Sequence, residues 1–423
     1  MHKLAVMSRL SLVAWASAAT LLTALAFSTA AAGSSGPARS GTTARSAAAH
    51  AHQALTPVPQ GFVGMVVDEP VWPDPFVNLP QQLDVMVASG VESIRVVFDW
   101  SQAQPYASWQ DVPSDQRSQF VNEGGVPTTF APLDALVAAA AERGMTVLPV
   151  IQSAPTWDGQ TYAGGLMAIP RSPAPYAAFA KALVQRYGST GTFWTANPQI
   201  PKVPIELWQV WNEPNIIAFW PQQPYYSRYL ALLRAAHAAI KSADPKAKVV
   251  LAGLPNYSWQ ELARIYKFRG ARSLFDYVAV HPYTKTPQGV ITIIGYVRQE
   301  MNLAGDANKP ILADEISWPS SMGHTTHDTG YDFATTEAGQ AENIGKVLPL
   351  LVRNRVRLGL AGLYYYDWAG LERDNYLAFD FSGLFRLSGG TFVPKPAYEV
   401  FKRGALAMED CRAKAARATS CQK

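Results

Sequence analysis

Two glutamates in this sequence each close a short apolar run. Glu213 follows the run IELWQVWN that begins at Ile205, and Glu315 ends the run ILADE that begins at Ile311. Paired carboxyl groups across a cleft are the groups that hydrolysis of a glycosidic bond requires. One is protonated and donates to the leaving oxygen, and the other is ionised and attacks the sugar or activates water. The question is then which elements could bring the two together.

Short apolar runs alternate with longer helical patterns between about residues 59 and 408. Eight runs start at Phe62, Ser93, Thr146, Ile205, Val249, Tyr277, Ile311 and Leu363. The gaps are about as long as the ~30 residues of a strand, helix and return. The runs also lack the strict alternation of half-exposed antiparallel strands. The pattern predicts an α/β fold, and eight units favour a (β/α)8 TIM barrel over an open doubly wound sheet.

Three intervening segments carry clear helix boundaries. The first runs from Leu133 to Arg143 and is stopped by Gly144, and the second has Pro224 near its first turn and ends at Asp244-Pro245. The third runs from about residue 336 to residue 357. Proline at a helix start and glycine or proline after its end are the expected punctuation.

In a barrel of this kind the functional groups lie at the carboxyl ends of the strands. The polar or aromatic residues at those ends are Asp99, Trp100, Asn212, Glu213, His281, Tyr283, Glu315, Asp367 and Trp368. The two glutamates end the fourth and seventh strands, so we expect them to face each other across the barrel mouth.

Four segments together resemble clan A of the glycoside hydrolases, the retaining (β/α)8 enzymes. They are WNEPN at 211–215, ADEISW at 313–318, HPY at 281–283, and Arg95. The WNEPN form is most similar to family 39 and its relatives, with family 5-like enzymes close behind. The resemblance covers residues 59–408 and implies a catalytic domain there that needs no cofactor.

The resemblance also implies roles for single residues. Glu213 matches the general acid/base, Glu315 the nucleophile, and Asn212 the residue that binds the substrate 2-hydroxyl. Trp368 matches the residue that forms the floor beneath the reacting sugar. The retaining mechanism places the two carboxyl groups ~5 to 5.5 Å apart.

Elementary chemistry supports part of this assignment. Arg95 lies inside an apolar run, so its guanidinium needs an anion, either Glu315 or another acid at the barrel floor. His281 and Tyr283 share strand parity and should both point into the mouth. Tyr283 could donate to Glu315. His281 could bind a carboxylate or a sugar hydroxyl, or be a core histidine with ordinary partners.

Asn212 and Glu213 are adjacent, and a regular strand would turn them to opposite faces. Both can face a substrate only if the fourth strand ends in a bulge or an irregular turn, which we therefore predict.

Several tryptophans lie at or just after the strand ends, where indole rings could stack on sugar faces. They are Trp100, Trp157, Trp220, Trp318 and Trp368. For all except Trp368, packing inside the loops is an equally good explanation. Trp208 and Trp211 are expected to pack.

No metal site is expected. His324, His327, Asp328 and Asp332 cluster after the seventh strand, but without a coherent ligand spacing. There is also no phosphate-binding glycine loop, nucleotide fingerprint or nucleophile-elbow motif.

The two ends of the chain are distinct from the barrel. Residues 1–32 have a basic start, an apolar stretch and Ala30-Ala31-Ala32, which predicts a signal peptide; an uncleaved membrane anchor is the alternative. Residues 33–58 are rich in Ala, Ser, Gly, Thr and Pro, as in a disordered linker. In the tail, residues 409–423, Cys411 and Cys421 are expected to form a disulfide.

Composition excludes other classes. The 423 residues are 48% hydrophobic and 16% charged, unlike disordered, collagenous or coiled-coil chains. Lys3 and Arg9, in the proposed signal segment, supply two of the four excess positive charges. The remaining chain has an excess of only two, which gives no electrostatic case for binding nucleic acid or an anionic membrane.

We expect a secreted, extracellular or cell-surface retaining glycoside hydrolase acting on a β-linked poly- or oligosaccharide. A transglycosylase and a non-catalytic carbohydrate-binding barrel are the alternatives, and the oligomeric state is open.

Overall fold

The computed structural model describes residues 57–324, 332–374 and 377–423. The chain divides into two compact units, residues 1–54 and 55–423, and every described residue belongs to the second. The proposed signal peptide, almost all of the proposed linker, and His327 and Asp328 lie outside the described residues.

Eight parallel strands form the sheet predicted from the apolar runs. They are β1 (Val63–Val66), β2 (Ser93–Asp99), β3 (Thr146–Gln152), β4 (Leu207–Val210), β5 (Lys248–Val250), β6 (Val278–Val280), β7 (Ile311–Ile316) and β8 (Leu360–Tyr365). Ladders join neighbours from β1 to β5, from β6 to β8, and β8 to β1. Bridges between Val250 and Tyr277 and between Leu254 and Val280 close the ring between β5 and β6. The predicted (β/α)8 barrel is confirmed.

A long helix follows each strand and covers the outside of the barrel. The helices are α1 (Leu79–Ala88), α2 (Ala131–Glu142), α3 (Pro173–Tyr187), α4 (Tyr226–Ala243), α5 (Ser258–Tyr266), α6 (Pro287–Leu303), α7 (Glu337–Leu358) and α8 (Pro396–Met408). The three helices predicted from the sequence are α2, α4 and α7. Thr336 caps α7 through its side chain, and Gly359, with φ of 61°, ends it in the left-handed conformation that glycine adopts without strain.

The observed strands begin within three residues of the predicted starts. The largest difference is at β8, which begins at Leu360 rather than Leu363. Ala361 and Gly362 have low strand propensity; Gly362 pairs with Leu312 of β7, and Ala361 falls at a shift of register in that ladder.

Two groups of buried side chains organise the core. The larger lies between the strands and the helices. The smaller takes one residue from each of six strands, as the filling of a barrel interior does: Val66, Leu148, Val250, Ala279, Leu312 and Tyr364. The apolar filling gives way to polar side chains toward the carboxyl ends of the strands, where the candidate site lies.

The C-terminal tail is fixed at the opposite end of the barrel. It contains the predicted disulfide between Cys411 and Cys421 and a small hairpin. Lys414 is buried, and its Nζ donates to Glu92 Oε1 at 2.7 Å and lies 2.5 Å from Glu409 Oε2. Glu92 directly precedes β2, so this ion cluster lies at the amino-terminal face of the barrel. Within the described ranges, no helix is long and apolar enough to span a membrane.

Candidate active site

The end of β4 departs from regular strand geometry. After Val210, Trp211 has a φ of 70° and Glu213 a φ of 43°. Both values lie in the left-handed region, which residues other than glycine rarely adopt. Asn212 between them forms a bridge to Gly253. The turn brings two adjacent side chains, Asn212 and Glu213, to the barrel mouth, so the predicted irregular end of β4 is confirmed.

A second irregularity lies in β7. Ala313 pairs with Leu363 and Ile316 with Tyr365, so three steps along β7 match two along β8. This bulge lets the adjacent Asp314 and Glu315 both reach polar partners inside the barrel. Sequence analysis did not identify Asp314 as a site residue, although two successive acids at the end of a buried strand were an available indication.

Arg95 of β2 connects the two irregular segments. Its Nη1 donates to Glu315 Oε1 at 2.7 Å, and its Nη2 donates to Asn212 Oδ1 at 2.7 Å. Its Nε donates to Gln209 Oε1 at 3.0 Å and lies 3.3 Å from Asp314 Oδ2. Both anions considered from the sequence are therefore present, with Glu315 at the shorter distance. All three guanidinium nitrogens donate hydrogen bonds in the plane of the group, and a lysine ammonium could not reproduce this geometry.

Glu315 has a hydrogen-bond donor on each carboxyl oxygen. Arg95 donates to Oε1, and the Tyr283 hydroxyl donates to Oε2 at 2.5 Å. Charge-assisted hydrogen bonds are short and strong, so the two donors fix the orientation of this carboxyl group. The predicted contact of Tyr283 with Glu315 is present.

Glu213 lies against an imidazole. Its Oε1 is 2.6 Å from His281 Nδ1, and the other ring nitrogen of His281, Nε2, is 3.5 Å from Asp314 Oδ1. A Cβ at residue 253 would overlap with the His281 ring, so glycine is required there for the ring to occupy this place. Of the alternatives for His281, the structure shows contact with a carboxylate.

The protonation of this cluster follows from burial and charge. Burial lowers the pKa of His281, but the negative charges of Glu315 and Asp314 outweigh it and raise that pKa to about 10. Burial likewise raises the pKa of Asp314, but His281 and Arg95 outweigh it and hold the pKa below its usual value. The cluster thus holds two cations, Arg95 and His281, beside the carboxyl groups of Asp314 and Glu315.

Glu213 is the third carboxyl group beside His281, after Asp314 and Glu315. Burial raises its pKa, the hydrogen bond and charge of His281 oppose the rise, and Glu315 adds to it. The net effect is a raised pKa, which favours the protonated form of Glu213. A general acid needs this form before the reaction.

The two glutamates are close together. One carboxyl oxygen of Glu213, one of Glu315 and a ring nitrogen of His281 all lie within 4.8 Å of one another. So close an approach of one oxygen from each carboxyl group fits the short separation of retaining enzymes better than the ~6.5 to 9.5 Å of inverting ones. The same three atoms could also serve as metal ligands, which would require the imidazole to be neutral.

Most of the tryptophans predicted to stack on sugars are instead buried. Trp100, Trp220, Trp318 and Trp368 each expose at most 1% of their surface. Trp100 packs edge-on against Trp157, and Trp318 donates to the Thr284 carbonyl oxygen at 2.8 Å. The indole N–H groups of Trp100, Trp318 and Trp368 have protein acceptors, and all four rings pack inside the loops. Of the two interpretations left open for Trp100, Trp220 and Trp318, packing therefore holds, and the sugar floor expected of Trp368 is wrong.

Trp368 in particular does not form a floor for a sugar. Its Nε1 donates to Gln82 at 3.0 Å, and its ring packs against Phe385. Trp157 is half-buried and donates to the Gln104 carbonyl oxygen at 2.7 Å. Two residues before Trp368, the half-buried Tyr366 lines a cavity of about 400 Å³. Sequence analysis missed Tyr366, although it belongs to the run Leu363–Trp368.

That cavity is formed by the loops that follow β1, β2 and β8. Besides Tyr366, its lining includes Trp72, Asp68, Glu69 and Asp99. Elsewhere at the mouth, Tyr283 stacks on Phe333 with ring centroids 5.2 Å apart. His324 is exposed and lies 3.2 Å from Asp374, and Asp332 is exposed, so the described part of the loop after β7 does not gather metal ligands.

Comparison with known proteins gives structural matches only. No family model and no curated protein sequence matches this chain. A family 39 glycoside hydrolase from Bacteroides cellulosilyticus WH2 superposes with a TM-score of 0.57 at 18% identity; the match covers 83% of this chain and 64% of that protein. A glucosidase from Croceicoccus marinus gives 0.58 at 15% identity, covering 84% and 69%.

A monomeric β-xylosidase from Caulobacter crescentus CB15 gives a TM-score of 0.55 at 17% identity, covering 83% of this chain and 69% of that one. At such identities the likeness establishes a shared architecture. The chain therefore has the (β/α)8 fold found in these glycoside hydrolases, in agreement with the resemblance of its motifs to clan A.

Proposed function

We propose that this protein is a secreted retaining glycoside hydrolase that cleaves β-linked poly- or oligosaccharides. The observation that carries the proposal is the pair of carboxyl groups of Glu213 and Glu315, close together but in different surroundings. Glu315 accepts from a guanidinium and a phenol, and the imidazole of His281 lies closer to Glu213, at 2.6 Å, than to Glu315, at 3.3 Å. The structural neighbours, a family 39 glycoside hydrolase, a glucosidase and a β-xylosidase, support the same chemistry.

In the first step Glu315 attacks the anomeric carbon while Glu213 gives its proton to the leaving oxygen. The C–O bond of the substrate breaks, and an ester forms between the sugar and Glu315. Arg95 and Tyr283 hold the attacking carboxylate in one orientation, because each donates to one of its oxygens. Positioning of this kind contributes a large part of the rate.

In the second step Glu213, now ionised, takes a proton from water as the water attacks the anomeric carbon. The ester breaks, Glu315 regains its charge, and the sugar leaves with its original configuration. The imidazolium of His281 stabilises the ionised Glu213 at 2.6 Å. Because Arg95 occupies Oδ1 of Asn212, the amide nitrogen of Asn212 is the atom that would bind the 2-hydroxyl.

Secretion is part of the proposal. It rests on the charge, apolar stretch and small residues of the segment 1–32 and on the disulfide of the tail, which suits an oxidising compartment. The test is the mass and N-terminal sequence of the protein recovered from the medium after expression of the full chain. Cleavage after Ala32 is the expected result, and an intact Met1 in a membrane fraction would instead indicate an anchor.

The function is tested by sugar release from soluble glucans, xylans, arabinans, galactans and uronic-acid polymers. Glu315→Gln should lose nearly all turnover, while Glu213→Gln should keep some activity on nitrophenyl glycosides, whose leaving group needs little protonation. Glu342→Gln, in an exposed pair with Lys346 on α7, is the matched control and should behave like the parent.

Nuclear magnetic resonance of the first product checks the stereochemistry, and retention is expected. Products longer than the substrate would indicate transglycosylation. Wild-type rates in Glu315→Gln would refute the assignment, and binding of a glycan without any turnover would leave a non-catalytic barrel.

A further inference from the structure

The cavity formed by the loops after β1, β2 and β8 is lined by acidic and aromatic residues. Its volume is about 400 Å³, and its lining combines three acids, Asp68, Glu69 and Asp99, with the rings of Trp72 and Tyr366. None of the described residues that line it is a lysine, arginine or histidine. An aromatic wall beside hydrogen-bond acceptors is the usual character of a sugar site.

The position of the cavity assigns it to one part of the substrate. Asp68 follows β1, Asp99 ends β2 and Tyr366 follows β8. Burial raises the pKa values of Asp68 and Tyr366, and the nearby charge of Glu315 adds to the rise, so this cavity lies toward the nucleophile. Glu213 lies just beyond the end of β4, in the other half of the ring. In a double displacement the sugar that becomes attached to the nucleophile is the glycone, the part that leaves last. The cavity on the side of Glu315 is therefore the place for the glycone.

Among the described residues, no lysine, arginine or histidine forms an ion pair with the carboxyl groups of this cavity. The side chain of Asp99 accepts from the Ser101 hydroxyl at 2.6 Å and from the Gln102 amide at 3.1 Å. Burial raises the pKa of Asp99, and burial raises that of Asp68 to about 6 although Arg95 opposes it. Arg95 itself is held by Glu315 and Asn212.

We propose that this cavity binds a neutral glycone through its hydroxyl groups and excludes uronic acids. The inference rests on the proposed glycosidase function and adds the class of sugar. Hydroxyl groups would donate to Asp68 and Asp99, whereas a sugar carboxylate would meet two or three like charges in a partly dry site. Selectivity here comes from repulsion of the wrong ligand as much as from attraction of the right one.

The test compares substrates that differ only at carbon 6, at pH 7. Nitrophenyl β-glucoside is paired with the β-glucuronide, and the β-galactoside with the β-galacturonide. The parent should prefer the neutral member by at least about 100-fold in kcat/KM, and Asp68→Asn should reduce that preference by about tenfold, chiefly through KM. Glu342→Gln, a surface acid outside the cavity, should leave the ratio unchanged.

The outcomes separate this inference from the function. Equal or better cleavage of the uronide by the parent would overturn the neutral-sugar assignment while supporting glycosidase activity. If the parent cleaves none of these substrates, calorimetric titration of the same protein with neutral and uronic-acid oligosaccharides decides. Binding of only the neutral ones supports the cavity assignment, and binding of the uronic acid overturns it.

Discussion

Replacing Arg95 should weaken both the fold and the proposed activity. Its side chain is buried and donates to groups on two other strands: Gln209 on β4, Asn212 just beyond it, and Glu315 on β7. Arg95→Met removes the cation but keeps similar bulk, and Arg95→Lys keeps the charge but loses the planar fork. The pair of variants therefore distinguishes charge from geometry.

The size of the effect follows from these contacts. The guanidinium lies 2.7 Å from Glu315 and 3.3 Å from Asp314, and a unit charge pair ~4 Å apart attracts by about 4 kcal/mol at an effective dielectric constant of ~20. Desolvation offsets much of that gross attraction. Removing one partner of a buried ion pair typically costs about 3 to 5 kcal/mol, because the remaining charge is left buried. We expect a loss of unfolding free energy of that size in Arg95→Met.

The assay is urea unfolding followed by tryptophan fluorescence, together with kcat/KM on the substrate found in the glycan panel. Arg95→Lys should unfold at a higher urea concentration than Arg95→Met but lose about 100-fold in kcat/KM, since a small misplacement of the nucleophile has that effect. Arg264→Lys is the matched control, because Arg264 on the outer helix α5 is half exposed and pairs with Glu261 far from the glutamates of the candidate site. If Arg95→Met kept parental stability and activity, Arg95 would not connect the site as argued.

Four further outcomes are expected. Tyr283→Phe removes the 2.5 Å donor to Glu315 and should lower kcat about 10- to 100-fold with little change in KM; an unchanged kcat would contradict it. Glu213 must be protonated to act as the acid, so activity should fall as pH rises through its raised pKa. His281→Gln removes the cation that lowers the pKa of Glu213, so the alkaline limb of the pH profile should move to higher pH; a move to lower pH would contradict this. A Cys411→Ser/Cys421→Ser protein should lose about 3 kcal/mol of unfolding free energy yet keep its kcat, because the tail lies at the other end of the barrel. Gly253→Ala places a methyl group against His281, and crystallography together with kcat should show a displaced ring and reduced turnover.

The arrangement of the barrel was predictable because it depends on patterns that a sequence displays directly. Eight buried runs, spaced for intervening helices, specify the eight strands. Arg95 in an apolar run demands an anion, and the adjacent Asn212 and Glu213 demand an irregular strand end. The last two expectations follow from a residue whose type does not suit a regular buried strand, so the structure around it must supply a partner or an irregular turn.

The aromatic residues were harder to place because their chemistry is ambiguous. An indole can cover a sugar or fill a loop, and nothing in the sequence says which loop closes over it. Trp368 follows the end of β8 by three residues, and its ring is enclosed by Phe385 and Tyr398, which come from later segments of the chain. Asp314 was missed for a related reason: strict alternation turns it away from Glu315, and the bulge that restores it depends on pairing with β8.

The irregular ends of β4 and β7 explain why Arg95 should affect both the stability of the fold and the proposed activity. Left-handed backbone at Trp211 and Glu213 carries strain of about 1 to 3 kcal/mol each, which surrounding contacts must offset. Arg95 supplies such contacts, since it holds Asn212 between the two strained residues and also Glu315 beside the bulge. The guanidinium therefore stabilises the backbone that presents the acid/base and at the same time orients the nucleophile. A substitution that weakens this contact should relax both segments together, so the two carboxyl groups would lose their spacing before the barrel itself unfolds.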